Sequence, residues 1–289
     1  MTSPGYVIVS PTRDEAKNIA LTIASVAAQT LRPLRWVIVD DGSRDHTWEL
    51  VSAAAAAHPW ITAVRREDRG FRKAGGGVMD AFYEGYAVVE KEPWDYVVKL
   101  DADLSFGANY FERCLAAFAA DPKLGVAGGL VCVERAGQVV VEYHDPVFHV
   151  RGPCKIYRRA CWEQIGGLIR APGWDTFDHI KANRLGWSTR TFEDLKVIHH
   201  RATGTAYPAW SNWTKNGLAN YVVGYHPIFM FLKCARRAVR KPYGLAAAGL
   251  MWGFLGGYLK GYPQVDDRET IRYIRKQQIN YLLGRKSLW

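Results

Sequence analysis

Four short stretches carry residues whose types and spacing could do chemistry. "VVKLDADLSF" (97–106) ends an apolar run with two acids one residue apart, Asp101 and Asp103, around Ala102. Carboxylates at the end of a buried strand need a positive charge to offset their desolvation, and a divalent cation such as Mn2+ or Mg2+ supplies one. A structural cap or surface turn accounts for the same triplet, because Asp favours turns through local hydrogen bonds. "VDDGSRDHT" (39–47) sets adjacent acids before a glycine turn and a helix start. That arrangement presents Asp41 to a polar heterocycle while Ser43 or Asp45 caps the helix. "VSPTRDEAKN" (9–18) puts Arg13 and Glu15 at a similar turn. "RGFRKAGGGVMDAF" (69–82) offers Arg69, Arg72, Lys73 and three glycines ahead of a helix, either an anion site or a solvated loop. None of these is a G-x-G-x-x-G fingerprint or a Walker loop, which disfavours a dinucleotide oxidoreductase or a P-loop ATPase.

The elements that must position these residues alternate. "YVIVS" (6–10), "RWVIVD" (35–40), "ITAVRR" (61–66) and "DYVVKL" (95–100) read as short apolar strands. Amphipathic helical patterns separate them, with Ile19, Ile23, Val26 and Ala27 at helical spacing in the first. The alternation predicts a single mainly parallel, Rossmann-like α/β sheet flanked by helices, whose ligands sit beyond the carboxyl ends of the strands. The polar stretches after the first, second and fourth strands should therefore converge on one crevice. From about 125 to 200 the pattern shifts to short strands, with a helix expected inside "PGWDTFDHIKANRLGW".

Composition bounds the rest. The chain has 289 residues, 48% hydrophobic and 23% charged, which excludes long disorder. Five scattered cysteines lack C-x-x-C spacing, so neither a disulfide framework nor a zinc knuckle is expected and a reducing compartment fits. "MTSPGYVIVS" carries no signal-peptide pattern, and the cytoplasmic side is expected. Charge is asymmetric: residues 1–195 hold 23 Lys and Arg against 25 Asp and Glu, whereas 196–289 hold 15 against 3. The stretches 217–232 and 242–259 contain no charged residue and flank "KCARRAVRK" (233–241). These features predict a helical, membrane-associating extension on an anionic leaflet, in-plane or re-entrant rather than spanning, with buried core helices as the alternative.

In order along the chain, these motifs resemble the family 2 glycosyltransferases, inverting enzymes with a nucleotide-diphospho-sugar transferase fold of the GT-A type. The resemblance covers roughly residues 1–205, leaving 206–289 as the basic, aromatic-rich extension. "SPTRDE" is similar to the family's Pro-Thr-x-Asn-Glu turn, with Asp14 at the usual Asn; "VDDGS" and the D-x-D triplet follow. The resemblance implies that Pro11, Thr12, Arg13, Glu15 and Asp41 surround the base and ribose. Asp101 and Asp103 would then face ribose, diphosphate and metal, and Arg69 and Lys73 the diphosphate. The family's Glu-Asp signature, whose Asp is the catalytic base, lies about eleven residues before a helix-ending glycine. Counting back from Gly186 gives Asp175, preceded by Trp174 where Glu is usual, with Asp178 as the alternative one helical turn on. Helix N-terminal capping would account for either acid. "VIHHRATGT" (197–205) is similar to a segment following the last strand in polyprenyl-phosphate sugar transferases. There His200, or else His199, would complete the metal site, and Arg201 would meet phosphate.

The activity implied is transfer of a sugar from a nucleotide-diphosphate sugar to a hydroxyl or phosphate of a lipid-linked saccharide acceptor. It would proceed by metal-assisted single displacement at the cytoplasmic face of the membrane. A loop around residues 142–157, "EYHDPVFHVRGPCKIY", is expected to shape the acceptor pocket and is assigned no chemistry. A sugar-nucleotide nucleotidyltransferase would want glycines after the first strand, which "SPTRDEAKN" lacks. A noncatalytic basic adaptor is the other rival, and nucleic acid is excluded as a partner because the acidic strand ends would repel phosphate.

Overall fold

The computed structural model describes residues 4–68, 70, 76–201 and 208–289. Its first half runs β1 (Tyr6–Thr12), α1 (Ile19–Ala27), β2 (Arg35–Asp40), α2 (Thr47–Ala57), β3 (Ile61–Arg65), α3 (Gly76–Val89) and β4 (Tyr96–Leu100). The strands are apolar throughout because both faces of the sheet are covered. Tyr6, Ile8, Trp36, Ile38 and Val98 pack on the side of α1 and α2. The intervening Val7, Val9, Val37, Val39 and Val97 pack on the side of α3. Burying a side chain of this size contributes about 1.5–3 kcal/mol, so a residue charged at any of these positions would be costly.

The chain continues through β5 (Leu104–Phe106), α4 (Tyr110–Ala120), β6 (Leu124–Arg135), β7 (Gln138–Val141), β8 (Cys154–Arg158), α5 (Arg159–Ile165), α6 (Trp174–Arg184) and β9 (Ser188–His199). Strand order is β3-β2-β1-β4-β8-β6-β9-β5, with β7 paired to β6. The sheet is mixed, which corrects the mainly parallel expectation. β1 is parallel to β2 and β4, as the βα alternation requires. β8 is instead antiparallel to both its neighbours, β4 and β6. The expectation missed β8 because a lysine sits in the middle of "CKIYR" and breaks the apolar run, although every residue from Cys154 to Tyr157 is buried.

Beyond residue 207 lie α7 (Ala209–Val222), α8 (Pro227–Ala238), α9 (Leu245–Leu259) and α10 (Arg268–Leu282). Among the described residues no helix is long and apolar enough to cross a membrane. The inner faces of these helices form a third core, in which Tyr221, Met230, Leu250 and Phe254 pack together with Phe177 and Ile180 of α6. All five cysteines are free thiols, buried among core side chains.

The glycines of the tail have a packing role. α7 and α9 approach so closely that a Cβ on Gly253 would lie 1.9 Å from the Thr214 carbonyl oxygen, and one on Gly217 would lie 2.0 Å from that of Leu250. Gly256, on the same helix, faces open space. Gly253→Leu should therefore force the helices apart and lower stability by at least ~1–3 kcal/mol in thermal denaturation. Gly256→Ala should be neutral or raise stability by up to ~1 kcal/mol, through helix propensity.

Candidate active site

The turns after β1 and β2 are locked to each other. Asp14 takes a left-handed conformation (φ 54) that Asp and Asn tolerate best. Its backbone N–H donates to Ser43 Oγ (2.9 Å), and its carboxylate accepts from the Arg44 N–H (2.9 Å). The Glu15 N–H donates to Thr47 Oγ1 (2.8 Å). Ser43 also binds the buried Asp40, while Asp45 accepts the Thr47 N–H at the start of α2. Gly42 is required here, with φ 71 and a Cβ position only 2.5 Å from the Asp68 Cα.

Arg13 crosses this junction, donating to the Asp41 carbonyl (2.8 Å) and to Asp68 (2.7 Å). The Asp41 carboxylate meets Arg66 at 2.6 Å, and Arg66 also pairs with Glu84. Pro11 and the buried Thr12 lie in the β1–β2 ladder opposite Val39 and Asp40. The residues expected around a base and ribose thus share one polar rim.

At the end of β4, Asp101 accepts from Lys99 Nζ, and Ala102 and Asp103 are buried behind it. His199 Nε2 lies 3.4 Å from Asp103 Oδ2, and its Nδ1 lies 3.3 Å from Glu142, which is also paired with Arg151. His200, the imidazole favoured on sequence, points away; it is exposed and lies 2.9 Å from Ser105 Oγ. Alternation along β9 allows one imidazole to face Asp103, and the structure assigns that position to His199. Arg201 bridges the two strand ends, ion-pairing with Glu15 and lying 3.5 Å from Asp103. A cavity of about 530 Å³ opens beside His199 and His200, under the β6–β7 hairpin at Arg135 and Gly137.

These groups perturb one another. Burial, reinforced by the nearby Asp103 charge, pushes the Glu15 carboxyl up to about 7. Burial likewise raises Asp101, with Lys99 opposing the shift. Burial alone would lower His199, but hydrogen bonds to Asp103 and Glu142 lift it to about 9. Three acids therefore share a desolvated corner that favours added positive charge.

Among the described residues no group of three or more His, Cys, Asp and Glu side chains is arranged to hold a metal. The donors present nonetheless fit a cation that keeps places for phosphate oxygens. Asp103 Oδ1 is buried with no hydrogen-bond partner among the described residues, and His199 stands beside the same carboxylate. One or two protein ligands plus substrate phosphates is a common arrangement for Mg2+.

The two acids on α6 have opposite surroundings. Asp178 is 2% exposed and accepts from Lys155 Nζ (2.8 Å to each oxygen), from the Tyr157 hydroxyl and from the His179 N–H (2.6 Å). Although burial opposes ionisation, the Lys155 charge and these bonds hold its carboxyl well below the usual range. No oxygen is left to take a substrate proton, which corrects the alternative reading of Asp178 as a base. Asp175 is half-buried in the first turn of α6, and its carboxylate makes no hydrogen bond or ion pair among the described residues. It does not cap the helix, whose N-cap is Gly173 with no side-chain bond. A Cβ on Gly152 would lie 3.3 Å from Asp175 Oδ2, and the Gly152 carbonyl accepts from Lys99 (2.9 Å), so Asp175 borders the Asp101 turn.

Sequence reasoning missed the residues that set this geometry. Lys99 and Lys155 are direct partners across the β4–β8 ladder. The Trp174 ring is within cation–π reach of both ammoniums, its centroid 5.0 Å from Lys99 Nζ and 5.7 Å from Lys155 Nζ. Lys155 also donates to the Asp175 carbonyl (2.6 Å). The available signal was a lysine inside each of two otherwise apolar segments, "VVKL" and "CKIY", which only a counter-ion explains. Arg69, Arg72 and Lys73 lie outside the described residues.

Known proteins have related sequences and folds. Residues 7–172 match the model of glycosyl transferase family 2. The chain is 22% identical over 320 residues to the N-acetylglucosaminyl-diphospho-decaprenol L-rhamnosyltransferase of Mycobacterium tuberculosis, covering 96% of this chain and 98% of that protein. Its fold is similar to that of a Pyrobaculum calidifontis mannosyltransferase solved with GDP-Man and Mn2+ (TM-score 0.56, 19% identity, 99% of this chain and 77% of that one). It is also similar to S. aureus TarS (TM-score 0.53, 15% identity, 91% of this chain), of which it spans 44%. The family match covers more than half of a chain whose strand ends converge on one polar rim: the protein belongs to glycosyl transferase family 2.

Proposed function

We propose that the protein transfers a sugar, with inversion, from a nucleoside-diphosphate sugar to a hydroxyl of a lipid-linked saccharide acceptor at a membrane surface. The observation that carries this reading is the Asp175 carboxylate, which makes no hydrogen bond or ion pair among the described residues and borders the Asp101–Asp103 turn. The base and ribose sit against Thr12, Arg13, Glu15 and Asp41, and Arg201 meets the diphosphate. Asp103, with His199 once it has lost its proton, would hold a divalent cation, which would supply charge neutralisation for the departing nucleoside diphosphate.

Asp175 takes the proton of the acceptor hydroxyl as its oxygen bonds to the anomeric carbon. The bond from that carbon to the diphosphate oxygen breaks on the opposite face, and its electron pair leaves with the nucleoside diphosphate. No side-chain nucleophile takes part. A lipid-linked acceptor is supported by the M. tuberculosis relative, which is named for a diphospho-decaprenol acceptor and is similar over nearly its whole length.

The decisive assay is incubation with a panel of sugar nucleotides, lipid extract and Mn2+, with mass spectrometry of lipid-linked products. Release of pyrophosphate instead of nucleoside diphosphate would indicate a nucleotidyltransferase. Asp175→Asn should lower kcat by ~10²–10⁴-fold while nucleoside-diphosphate binding, followed by thermal shift, is retained. Asp103→Asn should instead weaken metal-dependent nucleotide binding. Lys155→Met should cost about 3–5 kcal/mol of stability in denaturant unfolding, because Asp178 would be left buried and unpaired.

A further inference from the structure

We infer that the outer face of α8 and α9 is an in-plane docking surface for an anionic lipid bilayer. The inference rests on the reading above of a membrane-borne acceptor and specifies where the protein meets that membrane.

α9 has two faces. Gly249 and Gly253 turn inward against α7, leaving no room for side chains between the backbones. Turned away from Gly253, Trp252, Leu255 and Leu259 recur at helical spacing and are exposed, Trp252 by 64% and Leu259 by 84%, and Leu245 is exposed where the helix begins. The neighbouring α8 likewise exposes Ile228, Phe231 (63%) and Leu232, and Val239 and Tyr243 follow in the link to α9. Leaving so much large apolar surface in water marks an interaction site.

Charge identifies the occupant. From Leu195 to Val265 the chain contains no Asp or Glu but nine Lys and Arg. Arg236, Arg240, Lys241 and Lys260 are exposed on or beside the two helices. A second copy would bring the same positive face against this one, and like charges would repel. An anionic headgroup layer accepts the cations, while the acyl boundary accepts Trp252 and the leucines. Trp and Tyr are enriched at that boundary, where Tyr243 would also lie.

The length of α9 sets its orientation. Its 15 residues reach about 22 Å at 1.5 Å per residue. That is short of the ~30 Å hydrocarbon core. With its inner face committed to α7, the helix lies along the leaflet rather than across it.

The test is co-sedimentation of the full chain with phosphatidylcholine vesicles, with and without phosphatidylglycerol, in the absence of donor. The protein should pellet with the phosphatidylglycerol vesicles and be released by high salt. Trp252→Ser/Leu255→Ser/Leu259→Ser and Arg236→Gln/Arg240→Gln/Lys241→Gln should each reduce binding by roughly tenfold or more. Both variants should keep the sugar-nucleotide hydrolysis rate of the unmodified chain, which shows that they are folded. Unchanged sedimentation of both folded variants, or no binding by the unmodified chain, would overturn the proposal. So would a lipid-free dimer, seen by light scattering, that the apolar triple variant abolishes, because the face would then serve a second copy. Vesicle binding without glycosyl transfer would leave this surface standing and remove the catalytic reading; transfer without vesicle binding would do the reverse.

Discussion

Lys99 and Lys155 face each other across the β4–β8 ladder, where two like charges in a sheet would ordinarily repel. Each is neutralised by a different acid: Lys99 by Asp101 at the end of its own strand, and Lys155 by Asp178 on α6. The Trp174 ring lies against both. One local electrostatic problem therefore ties the strand end that carries Asp103 to the helix that carries Asp175. Because the lysines cannot shift without exposing buried charge, the spacing between those two acids is fixed by the sheet rather than by a loop.

The same logic governs the corner where the other strand ends meet. Glu15, Asp101, Asp103 and Glu142 are crowded and desolvated, and Lys99, His199, Arg201 and Arg151 stand among them. Four cationic groups thus match four carboxylates, yet Asp103 Oδ1 is left without a hydrogen-bond partner among the described residues. A buried carboxylate oxygen with its lone pairs free suits a substrate whose diphosphate arrives with a metal.

Much of this was legible in the sequence because the parallel half of the sheet obeys simple rules. Apolar runs such as "RWVIVD" became strands with the expected bounds, and the three polar strand ends meet. Legibility failed where a charge sits inside an element. Lys155 disguised β8 as a loop, and the antiparallel insertion changed the sheet from mainly parallel to mixed. The choice between His199 and His200 depended on the phase of β9, which spacing alone does not set. Asp175 and Asp178 look equivalent in sequence, and only the position of Lys155, 23 residues before Asp178, separates them. The glycines of the tail were visible, but their partners on the facing helix were not.

α6 belongs to two bodies at once. Through Asp178 it is pinned to the sheet, and through Phe177 and Ile180 it forms part of the core of the C-terminal helices. Lys181 and Arg184 add ion pairs to Asp267 and Glu269 near the start of α10. The segment beyond residue 207 is therefore not a detachable handle. A chimera that exchanged only those helices for a relative's would bare the underside of the helix bearing Asp175, so grafts between family members must carry α6 along with the tail.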